Sequence, residues 1–176
     1  LTKELCGRSR PIHFRGVATV VCKLMNIAQP DRAYFGQKDA QQLAVIRQMV
    51  SDLNMPVKVV GCPIVREADG LAKSSRNTYL NEQERAAALV LSRSLAEGRK
   101  LLEEGSTDAD QVMARIEEVI KSEPLARIDY VQAVNADTIE PVHKVEGTVL
   151  FAIAVYIGKT RLIDNFYWTA EESHAN

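Results

Sequence analysis

Apolar residues recur along the chain with two different periods, and the changes of period divide it. Val17, Val20, Leu24 and Ile27 stand at helical spacing within Gly16 to Ala28, and Pro30-Asp31 closes that run. The β-branched Thr19, Val20 and Val21 lower helix propensity there without removing the pattern. Arg32 to Gly36 is a short apolar run ending in Gly and reads as a buried strand. From Asp39 to Leu53 the helical period resumes through Leu43, Ile46, Val50 and Leu53, and Val57 to Gly61 reads as a second strand. Strand, helix and strand over about thirty residues predict a βαβ unit and therefore a parallel sheet. Two strands do not complete a doubly wound α/β domain, so the pattern predicts part of one, with the rest upstream.

From Cys62 to Leu80 the periodicity lapses. Pro63, Asp69-Gly70 and the polar run Lys73 to Asn77 predict a long loop, and long loops in compact domains are usually functional. Helical spacing returns at Asn81, which with Glu84 forms a capping-box pattern; Ala88, Leu91, Leu95 and Leu102 share a face, and Gly105 is a natural stop. A second helix starts at Thr107 or Asp108, faces the core with Val112, Ile116, Val119 and Ile120, and ends at Pro124. Strand patterns follow over Ile128 to Asn135, Thr148 to Tyr156 and Thr160 to Phe166, the last two flanking a hairpin at Ile157-Gly158-Lys159. The organisation expected is a partial nucleotide-binding α/β domain over residues 1–80, a small α+β domain over 81–168, and a polar, frayed tail over 169–176.

Composition narrows the function classes. The 176 residues are 46% hydrophobic and 26% charged with a net charge of −1, so no bulk field draws the chain to nucleic acid or an anionic membrane. No stretch approaches the ~18 apolar residues of a membrane span, and the charged start from Leu1 to Arg10 does not resemble a signal peptide. Cys6, Cys22 and Cys62 are widely spaced with no CxxC, which fits reduced thiols in a cytoplasmic protein. His13, His143 and His174 are isolated from one another, so no histidine-based metal site is expected within the chain.

Two stretches could carry chemistry. Gly36-Gln37-Lys38-Asp39 falls where the first strand gives way to a helix, the place where ligands bind in open α/β sheets. Gly36 admits a ligand close to the backbone, the helix start offers N–H donors, and Lys38 adds a full charge, which suits a phosphate or carboxylate. The same residues also read as a turn followed by an ordinary helix start, with Asp39 and Gln42 at capping spacing. Lys73-Ser74-Ser75-Arg76-Asn77 offers cations and hydroxyls that could wrap a triphosphate, and Arg66 lies nearby. It reads equally as a solvated polar loop. Arg15, in Phe14-Arg-Gly-Val17, could pair with an acid, a ligand or a partner chain.

Taken together these stretches are no longer generic. Phe14-Arg-Gly-Val17, Pro30-Asp31, Tyr34-Phe-Gly-Gln-Lys-Asp-Ala-Gln-Gln42, Pro63-Ile-Val-Arg-Glu-Ala-Asp-Gly-Leu-Ala72, Ser74-Ser-Arg-Asn-Thr-Tyr-Leu80 and Leu162-Ile-Asp-Asn165 follow one another in the order found in the pantothenate synthetase family, which the chain resembles from Pro11 to about Asn165. The resemblance implies the C-terminal part of a Rossmann-like nucleotidyltransferase sheet followed by a small lid domain. It implies an ATP- and Mg²⁺-dependent ligase that joins pantoate to β-alanine through pantoyl adenylate, releasing pyrophosphate and AMP. By position, Gly36, Gln37, Lys38 and Asp39 would line the ATP site, with Lys38 on the phosphates or the pantoate carboxylate and Gln42 on pantoate. The Val65 backbone would touch adenine, and Lys73, Ser74, Ser75 and Arg76 would close on the triphosphate. Lys38, Ser74 and Arg76 would be catalytic. The resemblance also implies a cytoplasmic homodimer.

Two departures from the family's pattern stand out. Position 73, usually apolar, is Lys73, and no His-x-Gly-His occurs in the chain. The family carries that motif, part of the pantoate pocket and its metal ligands upstream, so the chain alone is expected to be inactive. Other adenylate- or cytidylate-forming enzymes share the superfold, and a non-catalytic interaction module is the remaining alternative. Release of AMP that depends on both pantoate and β-alanine separates the first, and protection of the 73–77 loop by ATP excludes the second.

Overall fold

The computed structural model describes residue 5 and residues 12–170. Expectations that fall on Cys6, Pro11, His174 and most of the tail lie outside the described residues. The chain divides into two compact units, Leu1–Ile64 with Asp137–Glu140, and Val65–Ala136 with Pro141–Asn176. The boundary expected at residue 80 therefore differs from the one observed. Residues 65–80 cluster with the second unit because Arg66 pairs with Asp164 there and Leu71 joins its core.

In the first unit, α1 (His13–Ala28) ends on Gln29 in the left-handed conformation, whose N–H bonds to the Met25 carbonyl. β1 (Arg32–Gly36), a 3₁₀ turn over Gln37–Asp39, α2 (Ala40–Asp52) and β2 (Lys58–Cys62) follow. β1 and β2 pair in parallel from Arg32↔Lys58 to Gly36↔Cys62, so the expected βαβ unit is present. Gly61 is where α2 approaches the sheet: a Cβ there would lie 3.0 Å from Leu43 Cδ2 and 3.1 Å from an Arg47 nitrogen.

The buried face of α1 is not the expected one. Phe14 and Met25 are buried and Ala18 and Val21 half-buried, whereas Val20, Leu24 and Ile27 are 57%, 59% and 79% exposed. The two stripes are one residue out of phase, about 100° apart around the helix. The sequence is apolar on both; of the second stripe only Val17 is half-buried. β1 is likewise half-buried rather than buried, with Tyr34 exposed, because a two-stranded sheet leaves alternate side chains uncovered. Leu53, the last residue of the predicted helical period, lies past the end of α2 and is exposed.

The second unit is more complete. Asn81 Oδ1 accepts from the Glu84 N–H and Glu84 Oε2 accepts from the Asn81 N–H, the reciprocal cap the sequence predicts for α3 (Glu82–Ala87). The expected single helix breaks at Ala88, where the Leu91 N–H takes the Ala88 carbonyl and tightens the turn before α4 (Leu89–Glu103). α5 (Ala109–Lys121) is capped by Asp108, which accepts from the Asp110 and Gln111 N–H groups. α4 and α5 cross at Gly98, where an added Cβ would lie 2.6 Å from Ile116 Cγ1.

β3 (Ala126–Asn135), β4 (Thr148–Ile157) and β5 (Thr160–Thr169) form an antiparallel meander with β4 central. The β4–β5 hairpin turns at Gly158 with φ 57°, as Ile157-Gly158-Lys159 predicts. Val149, Phe151, Ile153 and Val155 alternate along β4 into a core shared with Leu91, Leu95, Val112, Ile116 and Ile120 from the helices. Phe151 stacks on Phe166 with ring centroids 5.0 Å apart. β5 runs on to Thr169, which pairs with Thr148, so Thr169 belongs to the sheet and not to a frayed tail. Among the described residues no helix is long and apolar enough to cross a membrane.

Candidate functional site

The two candidate stretches fall on different units. Gly36 to Gln42 belong to the first and Val65 to Asn77 to the second. Each has a geometry of its own.

β1 ends at Gly36, whose φ of −68° and ψ of 132° are open to any residue. Among the described residues a Cβ built there meets nothing within 4 Å. Neither backbone conformation nor packing among the described residues requires the glycine. The chain then makes a 3₁₀ turn through Gln37, Lys38 and Asp39 and enters α2 at Ala40. Asp39 is the cap residue of α2 but makes no side-chain capping bond, so capping at this start, suggested by the Asp39–Gln42 spacing, is not realised. Gln42 is half-buried between the buried Gln41 and Leu43. The stretch thus combines an open glycine, an uncapped helix start and a cation, three features that favour an anion.

The second stretch opens as a tight hairpin. Val65 accepts from the Lys73 N–H at 2.9 Å, Arg66 bridges to Ala72, and the Glu67 N–H bonds to the Leu71 carbonyl at 2.8 Å. The turn passes through Gly70 at φ 95°. Asp69 closes the tip by accepting from the Leu71 N–H and pairing with Arg85 at 2.8 Å. Partial desolvation opposes ionisation of Asp69, but the Leu71 N–H and the Arg85 guanidinium outweigh it and hold the carboxyl below its usual value.

Beyond the hairpin, Ser74 Oγ accepts from the Arg76 N–H at 3.2 Å and starts a 3₁₀ helix over Ser75–Tyr79. Lys73 Nζ lies 3.8 Å from Glu67, a long and exposed pair. Arg76 donates to the Arg161 carbonyl at 3.1 Å. Asn77 donates to the Ala72 carbonyl, and its buried Oδ1 has no partner among the described residues. Lys73, Ser75 and Arg76 are exposed and Ser74 half-exposed, so the expected phosphate-facing residues share one short open segment.

The sequence reading took Arg66 as a further cation beside this segment and missed the ion pairs that hold it. Arg66 makes a bidentate pair with Asp164 on β5, at 2.7 and 2.9 Å. The carboxylate raises the pKa of the Arg66 guanidinium above its ordinary value, chiefly through those hydrogen bonds. Arg161, whose carbonyl receives Arg76, is itself fixed by Asp129 on β3 at 2.7 and 2.9 Å. The signal was available for Asp164: an acid inside the apolar run Leu162 to Trp168 demands a buried cation. Among the described residues no group of three or more His, Cys, Asp or Glu could hold a metal ion.

Comparison with known proteins places these segments in context. The sequence model of a family described as pantoate-beta-alanine ligase matches residues 1–167. The chain is 66% identical over 165 residues to the pantothenate synthetase of Heliobacterium modesticaldum, covering 94% of this chain and 59% of that protein. It is 58% identical over 166 residues to that of Ruminiclostridium cellulolyticum, with the same coverage. Among solved structures, the pantothenate synthetase of Thermus thermophilus superimposes with a TM-score of 0.89 at 45% identity, over 94% of this chain and 59% of its own. A pantoate-beta-alanine ligase from Francisella tularensis, complexed with beta-gamma ATP and beta-alanine, gives a TM-score of 0.66 at 32% identity, over 94% of this chain and 54% of its own. The chain therefore spans about three-fifths of the length of its curated relatives, 59%, and matches their C-terminal part.

Proposed function

Because the chain belongs to the pantoate–β-alanine ligase family, we propose that it supplies the phosphate-facing groups of an enzyme that joins pantoate to β-alanine at the expense of ATP. A pantoate carboxylate oxygen attacks the α-phosphorus, and the bond to the bridging oxygen of pyrophosphate breaks. The β-alanine amine then attacks the acyl carbon of pantoyl adenylate, loses a proton, and AMP leaves with the electron pair of the broken C–O bond. Neither step needs a redox group. Both need negative charge held and reactants aligned, which Lys, Arg, Ser and backbone N–H donors can do.

The single observation that carries this reading within the chain is the open Gly36 ahead of an uncapped helix start with Lys38 beside it. Gly36, Gln37, Lys38 and Asp39 are assigned to ATP, and Lys38 offsets charge at the phosphates or the pantoate carboxylate. The half-buried Gln42 amide is assigned to pantoate. Val65 is assigned to adenine through its main chain, whose carbonyl accepts one bond from Lys73 and keeps a second lone pair. Lys73, Ser74, Ser75 and Arg76 are assigned to the triphosphate, with Lys38, Ser74 and Arg76 catalytic. Mg²⁺ is assigned to the nucleotide phosphates, with its protein ligands on the upstream portion, as the family resemblance implies. A cytoplasmic homodimer completes the reading, by analogy with the family.

The test is AMP release that depends on both pantoate and β-alanine. Joined to the N-terminal portion its relatives carry, the chain is expected to catalyse it. The 176-residue chain alone is expected to leave only traces of rate, because several transition-state donors act from that other portion. No pantoate-dependent AMP from the joined polypeptide overturns the reading; robust release from the chain alone shows that the catalytic groups are misplaced.

A further inference from the structure

The candidate phosphate segment is tied to β5 at two points, and the ties differ in kind. At its base, Arg66 presents its guanidinium fork to both oxygens of Asp164, and the same Nη1 also donates to the Gly70 carbonyl at 3.0 Å. The Asp164 side chain is 1% exposed, and its Oδ1 accepts a further bond from the Asn165 N–H at 2.8 Å. At the far end, the exposed Arg76 gives a single bond to an uncharged acceptor, the carbonyl of Arg161, earlier on the same strand. Lys73, Ser74 and Ser75 lie between.

The chemistry of the two ties predicts different behaviour. A carboxylate with no access to water cannot lose its cation without a large desolvation penalty, so the Arg66 tie is permanent. A single exposed bond to a carbonyl exchanges readily, and a phosphate oxygen is the stronger acceptor for a guanidinium. Arg76 can therefore leave β5 for an anion while Arg66 cannot. The hairpin that Arg66 pins also fixes the spacing of the assigned groups, because Val65 is bonded to Lys73 and Arg66 to Ala72 across it.

We propose that Arg66 and Asp164 are positioning residues for adenylate formation. The buried pair anchors the 65–73 hairpin on β5 and so sets where Lys73, Ser74 and Arg76 meet the nucleotide. The inference rests on the proposed ligase function and adds to it residues that touch no substrate. A mere structural staple would affect folding and all steps alike; a positioning pair acts on turnover of the adenylation step.

The experiment uses the chain joined to the N-terminal portion its relatives carry. Pantoate-dependent ATP–pyrophosphate exchange is measured for the unaltered protein, Asp164→Asn and Arg66→Lys, with hydrogen exchange of residues 66–77 and of β4 recorded in parallel. Either variant is expected to lower kcat of exchange by about 100-fold, the cost of misplacing reacting groups by about 1 Å. KM for pantoate stays within about twofold, since its assigned contact, Gln42, is on another unit. Residues 66–77 should exchange faster while β4 stays protected. Arg115→Gln, which breaks a half-buried pair with Glu97 and an exposed one with Glu118, both away from the hairpin, serves as the control whose exchange rate is expected to stay unchanged. Should Asp164→Asn fail to fold, Arg66→Lys carries the test, because it keeps a cation beside the carboxylate and loses only the fork. Unchanged kcat in a folded variant overturns the positioning role, as does a parallel loss of kcat, pantoate KM and β4 protection. Absence of pantoate-dependent exchange in the unaltered protein is a different result and overturns the ligase reading itself.

Discussion

The two units of this chain bury their apolar residues to very different degrees. In the second, helices and sheet enclose a core that runs from Leu71 to Leu162, and β4 is buried on both faces. In the first, one stripe of α1 is covered while Val20, Leu24 and Ile27 stand exposed beside a two-stranded sheet. The same contrast separates the two candidate stretches. The 65–77 segment is braced by ion pairs and main-chain bonds inside its own unit, and Gly36 to Gln42 sits at the end of a sheet with two strands among the described residues. A chain can thus carry a finished module and an unfinished one, and burial tells them apart where composition does not.

The largest expected effect tests the finished module. Phe151→Ala removes a fully buried ring stacked on Phe166 and should cost about 3–5 kcal/mol in denaturant unfolding. Trp168, the chain's single tryptophan, lies on β5 of that unit and reports its unfolding directly. A change below about 1 kcal/mol would mean that the core has room to collapse and the contrast between the units is overstated.

Next come the two stretches themselves, in the joined enzyme. Lys38→Ala should cost adenylation about 2.5–4 kcal/mol, two to three decades of rate, with little effect on Trp168 unfolding. Arg76→Lys keeps the charge and loses the fork; ATP binding should weaken by about 1.5–3 kcal/mol. Single-turnover adenylate formation at normal speed in Lys38→Ala removes the first unit's stretch from the site. Unchanged ATP affinity in Arg76→Lys makes the second stretch a solvated loop.

How much of this was legible in the sequence follows the same division. Capping at Asn81, the Asp108 cap, the Gly158 hairpin and the parallel βαβ pairing all depend on residues within a few positions of one another or within one short unit, and local chemistry specified them. The buried side of α1 was misread because the helix is apolar on two stripes, and periodicity alone cannot say which one a neighbour covers. The boundary after Ile64 was hidden for a different reason. It depends on Arg66 finding Asp164 far along the chain; an acid in the apolar run Leu162 to Trp168 signals a cation partner but not which one. The residues assigned to phosphate stand out as motifs, whereas the pairing that holds their segment does not.

A smaller effect probes the bracing of the hairpin tip. Asp69 is held below its ordinary carboxyl value of 3.8 in the folded chain. A depressed folded pKa contributes stability that is present above the unfolded value and lost as pH falls through the folded one. The protection factor of the Leu71 amide, which donates to Asp69, should therefore stay level from neutrality to about pH 4 and fall below it, before Trp168 reports unfolding. A fall that coincides with global unfolding would show that Asp69 adds nothing local.

The smallest expected effect is the most pointed test of the unfinished unit. Leu24 is 59% exposed at the centre of the uncovered stripe on α1, so in this chain it buries little and Leu24→Ser removes little. Exposed substitutions away from special features usually stay within about 0.5 kcal/mol, and hydrogen exchange along α1 should change no more than that implies. Association should change instead. A contiguous apolar stripe drives chains together, so light scattering of the 176-residue chain should report less self-association for Leu24→Ser than for the unaltered protein. In the joined enzyme the sign is expected to reverse: if the added portion covers the stripe, Leu24 becomes a buried side chain and the substitution costs about 2–5 kcal/mol, as a core truncation does. The pair of measurements reads coverage of this face directly. Equal and small effects in both forms would mean that the stripe is exposed in the whole protein as well, and that the contrast between the two units belongs to the fold and not to the length of chain present.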